Sequence, residues 1–162
     1  MSNQQSALSR AAQSVQDALH ARGVELKVVE LSSSTRTADD AARTIGCEVA
    51  QIVKSLVFRA KQTGKPILVL ASGVNRVNEK VIAKHVGEKI SKADAAFVRA
   101  ETGFAIGGIP PVGHAKSIET YIDQDLLTHA ELWAAAGTPN AVFGLDSAIL
   151  EELTGGRVIS IK

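Results

Sequence analysis

Eight consecutive residues stand apart in the 162-residue chain: Gly107-Gly108-Ile109-Pro110-Pro111-Val112-Gly113-His114. Paired glycines let a ligand approach the main chain without Cβ interference. Paired prolines fix φ and remove N–H donors, which leaves a rigid, carbonyl-rich segment. Such a loop can hold an amino group or a water molecule by backbone alone. The competing reading is a stiff turn between strands. His114 can shuttle a proton or wall a pocket; otherwise it is a loop histidine with its hydrogen bonds satisfied. Lys54 lies in the apolar run Ile52-Val53-Lys54-Ser55-Leu56-Val57-Phe58. A charge there can meet a phosphate or a carbonyl oxygen at a sheet edge. Taken alone, it reads as an outward lysine on a half-exposed strand. Asn75 and Arg76 follow Gly73 after another apolar stretch and can contact backbone phosphate, or simply form a polar turn. Asp146 can line a pocket, though a helix cap explains it better.

Other chemistries lack their signatures. There is no phosphate-binding Walker loop and no dinucleotide fingerprint after a strand. His20, His85, His114 and His129 have no zinc-ligand spacing, so no metal is expected. No serine sits in a nucleophile elbow. Cys47 is the single cysteine, which excludes an internal disulfide and a cysteine metal cluster, and it reads as a small buried hydrophobe. No cofactor is expected.

These residues must be positioned by a core that is aliphatic, since hydrophobic residues make up 45% of the chain and aromatics only 4%. One domain over residues 1–162 suits this length. No apolar run is long enough to span a membrane. The stretch Met1-Ser2-Asn3-Gln4-Gln5 lacks the basic-then-apolar plan of a signal peptide, so a cytoplasmic protein is expected. The net charge of +1 conceals an asymmetry: residues 54–116 carry +7 and the rest −6. A basic middle with acidic flanks points to a polyanion on one face.

Apolar spacing predicts a helix over 7–22 ended by Gly23, a strand over 24–31 and a loop over 32–36. Thr37 caps a helix that ends at Gly46. Segments 52–59 and 66–71 form a hairpin around the turn 61–65. Asn78 caps a helix through His85, and Ser91 caps another through about Ala100. Strands follow at 117–122, 131–136 and 141–145, the last two as a hairpin. Asp146 or Ser147 caps a short helix to Leu153, and Arg157–Ile161 is a final strand. This irregular mixture predicts an α+β fold with a largely antiparallel sheet.

Five segments in order carry a family likeness: 37–42 (TADDAA), 51–58 (QIVKSLVF), 70–73 (LASG), 107–114 (GGIPPVGH) and 153–159 (LTGGRVI). Through them the chain resembles the YbaK/prolyl-tRNA synthetase-associated editing domain family along nearly its whole length. The resemblance implies a sheet curled into a partly open barrel, with surrounding helices and a pocket at its mouth. It implies a free-standing trans-editing factor that hydrolyses the ester of mischarged aminoacyl-tRNA, mostly tRNA for proline. The family lysine corresponds to Lys54, and the family's Gly-x-x-x-Pro loop to Gly107, Gly108, Ile109, Pro110 and Pro111. Substrate-binding roles are expected for Ser55, Ser72, Asn75, Arg76, Gly113, His114 and Asp146, of which the histidine recurs in relatives that resemble this chain. The partners implied are the acceptor end of tRNA and an aminoacyl-tRNA synthetase, with no membrane. Alanine, serine, threonine and cysteine are all admissible substrates. Thiol-specific relatives usually lack Pro110 and the Gly-His ending, which disfavours cysteine. A non-catalytic module that holds tRNA or a synthetase is the alternative, and hydrolysis of small aminoacyl esters is a third reading.

Overall fold

The computed structural model describes residues 7–162. The polar stretch Met1–Gln5 read above lies outside the described residues. Helix α1 (Arg10–Ala21) starts at Ser9, whose hydroxyl accepts the Ala12 N–H, and it buries Ala12, Val15 and Leu19. Fully burying Val15 and Leu19 stabilises by about 1.5–3 kcal/mol each, so this stripe is what docks the helix. Only Val29–Glu30 of the expected strand over 24–31 is strand β1. The residues before it are strapped to α1 by Gln16, whose amide donates to Leu26 C=O and accepts from Val28 N–H. A side chain takes the place of a strand partner there.

Helix α2 (Ala38–Ile45) is capped by Thr37 and ends at Gly46 in the left-handed region. A 3-10 turn (Val49–Gln51) leads into β2 (Ile52–Ala60), which forms the expected hairpin with β3 (Pro66–Ser72). Asn78 caps α3 (Glu79–Val86). Ser91 does not cap the next helix. It lies in β4 (Ile90–Lys92), paired to Arg59 of β2, and Asp94 caps α4 (Ala95–Thr102) by accepting the Phe97 N–H at 2.8 Å. The chain continues through β5 (Glu119–Asp123), a 3-10 turn over Gln124–Thr128, and the hairpin of β6 (Glu131–Ala135) and β7 (Ala141–Asp146). A 3-10 turn over Ser147–Ile149, α5 (Leu150–Thr154) and β8 (Arg157–Ile159) complete it.

All eight strands form one mixed sheet in the order β1-β7-β6-β2-β3-β5-β8, with β4 also on β2. Four of its pairings are antiparallel; β2–β6, β3–β5 and β5–β8 are parallel. The sheet is not closed, since β1 and β8 stand at its two ends. Val53, Val57, Leu68, Leu70 and Ile122 join the larger core, which includes α1 and Val98 of α4. Phe58, Ile67, Val69 and Tyr121 join a second core with Ile82 of α3. Among the described residues no helix is long and apolar enough to cross a membrane.

Candidate active site

Strand β2 carries Lys54 to the wall between two adjoining cavities. The narrower, about 360 Å³, is lined by Ile45, Ile52, Trp133, Ala134 and Val142, with Thr35, Arg36 and Thr37 at the segment leading into α2. The wider, about 800 Å³, is lined by Val57, Phe58 and Val98 together with Asn75, Arg76 and Lys92. Lys54, Ser55, Leu56, Ile106 and Ile109 line both. Apolar walls on one side and cations on the other meet at this lysine.

Lys54 Nζ donates to the Asn75 carbonyl at 2.7 Å. No carboxylate among the described residues comes within ion-pair distance of it. Burial pushes its pKa below the ordinary lysine range, and Arg76 pushes the same way; Asp123 and Asp39 oppose. An ammonium has three donors, so two remain for a ligand. Beside it, Ser55 Oγ is buried with no hydrogen-bond partner. Two lysines of the basic middle segment are otherwise engaged: Lys65 and Lys116 form ion pairs with Glu119 and Glu101, each at 2.8 Å.

The glycine–proline loop serves two different places. Its first half faces Lys54: Gly107 lines the narrow cavity, and buried Ile109 lines both cavities. Gly107 has φ +100, and its N–H and C=O find no partner among the described residues. Gly108 fixes the loop's position. Its carbonyl accepts the Gly137 N–H at 2.8 Å, and a Cβ there would come within 2.8 Å of Thr138 N. Thr35 in turn donates from its N–H and hydroxyl to the Pro139 carbonyl. Three loops thus brace one another around the narrow cavity.

The second half turns away. Pro110 and Pro111 are buried, and neither lines the cavities at Lys54. Gly113 packs on Ala18 of α1. His114 Nε2 lies 2.7 Å from the Pro110 carbonyl, and the ring lines a separate cavity with Arg22, Pro111 and Lys116. The structure therefore does not bring Gly113 or His114 to Lys54. The His114 pKa is lowered by burial, opposed by its bond to Pro110.

Ser72 is also outside both cavities. It is buried, and its hydroxyl donates to Ala50 C=O at 2.8 Å. Asp146 caps the 3-10 turn after β7 by accepting the Ala148 N–H, and it lines neither cavity. Asn75 lines the wide cavity, but its side-chain amide points to Asp123 and Asp125. Arg76 is exposed at that cavity. Sequence reasoning missed Arg36, Trp133 and Lys92. Arg36 and Trp133, the sole tryptophan of the chain, had a compositional signal; Lys92 had none before β4 was seen to pair with β2.

The mixed sheet thus brings an apolar-walled cavity and a cation-lined cavity together at one lysine. The chain belongs to the aminoacyl-tRNA editing domain family, whose model matches residues 32–153. It is 49% identical, with a TM-score of 0.91, to the solved structure of a candidate trans-editing enzyme for prolyl-tRNA synthetase, over 96% of this chain and 99% of that one. The uncharacterised protein YwhH of Bacillus subtilis is 32% identical over 83% of this chain and 85% of its own length. EbsC of Enterococcus faecalis, a candidate Cys-tRNA(Pro)/Cys-tRNA(Cys) deacylase, is 27% identical over 77% of this chain and 76% of its own length.

Proposed function

We propose that residues 1–162 form one editing domain that hydrolyses the ester of mischarged aminoacyl-tRNA carrying a small amino acid, on tRNA for proline or a related tRNA. The observation that carries this reading is Lys54 itself: part-buried, tied to a carbonyl and free of any carboxylate, at the shared wall of the two cavities. The family match and the 49% identity to a candidate trans-editing enzyme support it.

In this reading Lys54 uses its remaining N–H donors on the terminal phosphate or ribose of the acceptor end. Arg76 and Lys92 hold the sugar–phosphate backbone at the wide cavity. The main chain at Gly107 receives the α-amino group and positions a water. That water attacks the ester carbonyl, the bond to the ribose oxygen breaks, and that oxygen takes up a proton. The products are the free amino acid and uncharged tRNA. No carboxylate or imidazole lines the narrow cavity among the described residues. The proton therefore passes through water or the neighbouring ribose hydroxyl, and catalysis is positioning plus electrostatics. The aliphatic walls and Trp133 bound the side chain by size, in the manner of a double sieve.

The same lack of a side-chain base favours the second reading, a non-catalytic module for tRNA or a synthetase. A deacylation panel separates the two. Alanine, serine, threonine and cysteine are placed on proline, alanine and threonine tRNAs and exposed to the protein. Release of one or more small amino acids, falling steeply with salt, is expected. Binding without release from every tRNA establishes the second reading. Release insensitive to salt and to the tRNA body points to small aminoacyl esters.

A further inference from the structure

Strand β2 has an open stretch inside the sheet. On one side it pairs with β3 along its length. On the other, β6 meets it only at Ile52 and Val53, and β4 only from Phe58 to Ala60. The Gly73 N–H donates to Ile52 C=O, and the Ala60 N–H donates to Lys65 C=O. Hydrogen bonding to one neighbour alternates residue by residue in an antiparallel pair. Lys54 and Leu56 therefore also face β3, and Ser55 and Val57 turn their N–H and C=O groups to the open side. Among the described residues the Ser55 N–H and C=O and the Val57 N–H find no main-chain partner, whereas the Phe58–Lys92 pairing directs the Val57 C=O to β4. The Ser55 hydroxyl is likewise buried without one. Orphaned polar groups of this kind cost about 1–3 kcal/mol each unless water or a ligand takes them up.

A strand from another chain cannot fill this gap. It is four residues long, β6 and β4 close its two ends, and Ile106 and Ile109 line the cavities along it. A flat, small ligand can enter from the wide cavity, between the apolar walls of Val57, Val98 and Ile109.

We propose that the open edge of β2 reads the terminal adenine of the acceptor end, an assignment that rests on the deacylase reading above. On such an edge the C=O of one residue and the N–H of the next-but-one lie side by side, here Ser55 C=O and Val57 N–H. Adenine offers the complementary pair, an amino donor at N6 beside the acceptor N1. Guanine offers the opposite order, and hypoxanthine likewise. With the base held there, the ribose falls beside Lys54 and the aminoacyl group enters the narrow cavity past Gly107. Base, sugar and amino acid then lie in order along β2, from the β4 side to the β6 side.

The test uses the full chain and altered nucleotides, which avoids any variant that fails to fold. Adenosine monophosphate, its 7-deaza analogue and purine riboside monophosphate, which lacks the N6 amino group, are titrated into isotope-labelled protein. The amide resonances of Ser55 and Val57 are expected to shift with the first two, and the third to bind about tenfold more weakly. Unmoved amides, or equal binding of all three, overturn the proposal. The same replacements at the terminal base of a mischarged tRNA are expected to lower kcat/KM about tenfold for purine riboside and to leave it unchanged for 7-deaza-adenosine. Cleavage that ignores the base removes the edge assignment and leaves the deacylase standing. Base-discriminating nucleotide binding without cleavage of any mischarged tRNA removes the deacylase and leaves the edge.

Discussion

The Nζ of Lys54 donates to the main-chain carbonyl of Asn75 at 2.7 Å, and Asn75 is itself clamped from behind. Its side-chain amide donates to Asp123 Oδ2 and Asp125 Oδ2, each at 2.8 Å. Asp123 is 1% exposed and also accepts the Ser72 N–H at 3.0 Å. The lysine is thus aimed by a carboxylate at the end of β5 acting through a neighbour's backbone. Asn75→Ala is predicted to cost about 1–3 kcal/mol of stability, because Asp123 keeps its burial and loses a donor. It is also predicted to lower kcat/KM about tenfold by loosening Lys54. Thermal unfolding and deacylation rates check both, and unchanged rates in a folded Asn75→Ala protein rule out the positioning role.

Burial and Arg76 hold the Lys54 pKa low. Activity that needs the ammonium is present at neutral pH and is lost as pH rises through that lowered value. Stability moves the other way. The unfolded chain binds this proton more tightly, so stability rises with pH between the folded and unfolded values. Arg76→Gln relieves part of the depression and is predicted to move the alkaline limb of kcat/KM to higher pH. The profile, corrected for spontaneous ester hydrolysis, is the measurement. A limb that stays in place shows that Lys54 ionisation does not govern it.

His114 is held by its own loop and lies away from Lys54. Its ring bonds Pro110 C=O at 2.7 Å and lines another cavity. His114→Ala is predicted to lower stability by about 1 kcal/mol and to leave kcat/KM within about threefold. Because burial lowers its pKa, wild-type stability falls as pH drops through the ordinary histidine range, and the variant should flatten that fall. A hundredfold loss of activity with normal folding restores a chemical role.

The two adjacent glycines differ in what a methyl would do. At Gly108 it meets the backbone of Gly137 and Thr138 at 2.8–2.9 Å, which cannot yield cheaply. At Gly107 it meets the flexible side chain of Arg36, although φ +100 adds strain of about 1–2 kcal/mol. Gly108→Ala is predicted to be destabilising by about 1–3 kcal/mol and to disrupt the narrow cavity. Gly107→Ala keeps the fold and mainly weakens the main-chain contact with substrate. Unfolding curves and deacylation rates of the two variants side by side distinguish these outcomes, and a larger loss of stability in Gly107→Ala than in Gly108→Ala would contradict them.

Local signals were legible wherever a short-range rule decided the structure. Thr37 and Asn78 cap the helices their side chains announce, and the β2–β3 and β6–β7 hairpins follow their turns. Long-range pairing was not legible. Ile90–Lys92 is strand because β2 offers it a partner, which moved the helix cap from Ser91 to Asp94. Val24–Val28 is not strand because Gln16 reaches it first. At the site, the motifs pointed to Lys54 and Gly107 but could not divide the loop. Whether His114 shares a cavity with Lys54 depends on how residues 110–113 pack against α1, and that packing is a tertiary matter. Ser72 and Asp146 show the same limit: each is engaged by backbone outside both cavities, Ser72 with distant Ala50 and Asp146 with nearby Ala148.

The most direct test of the account is the rate of amino acid release from mischarged proline tRNA by the wild type and by Lys54→Ala. Removing a charged donor to the terminal phosphate or ribose costs about 1.5–3 kcal/mol, roughly ten- to a hundredfold in kcat/KM. The account predicts a loss of that size in Lys54→Ala, with folding intact, because the lost group is a part-buried cation without a carboxylate partner. A folded Lys54→Ala protein that releases the amino acid at the wild-type rate would contradict it.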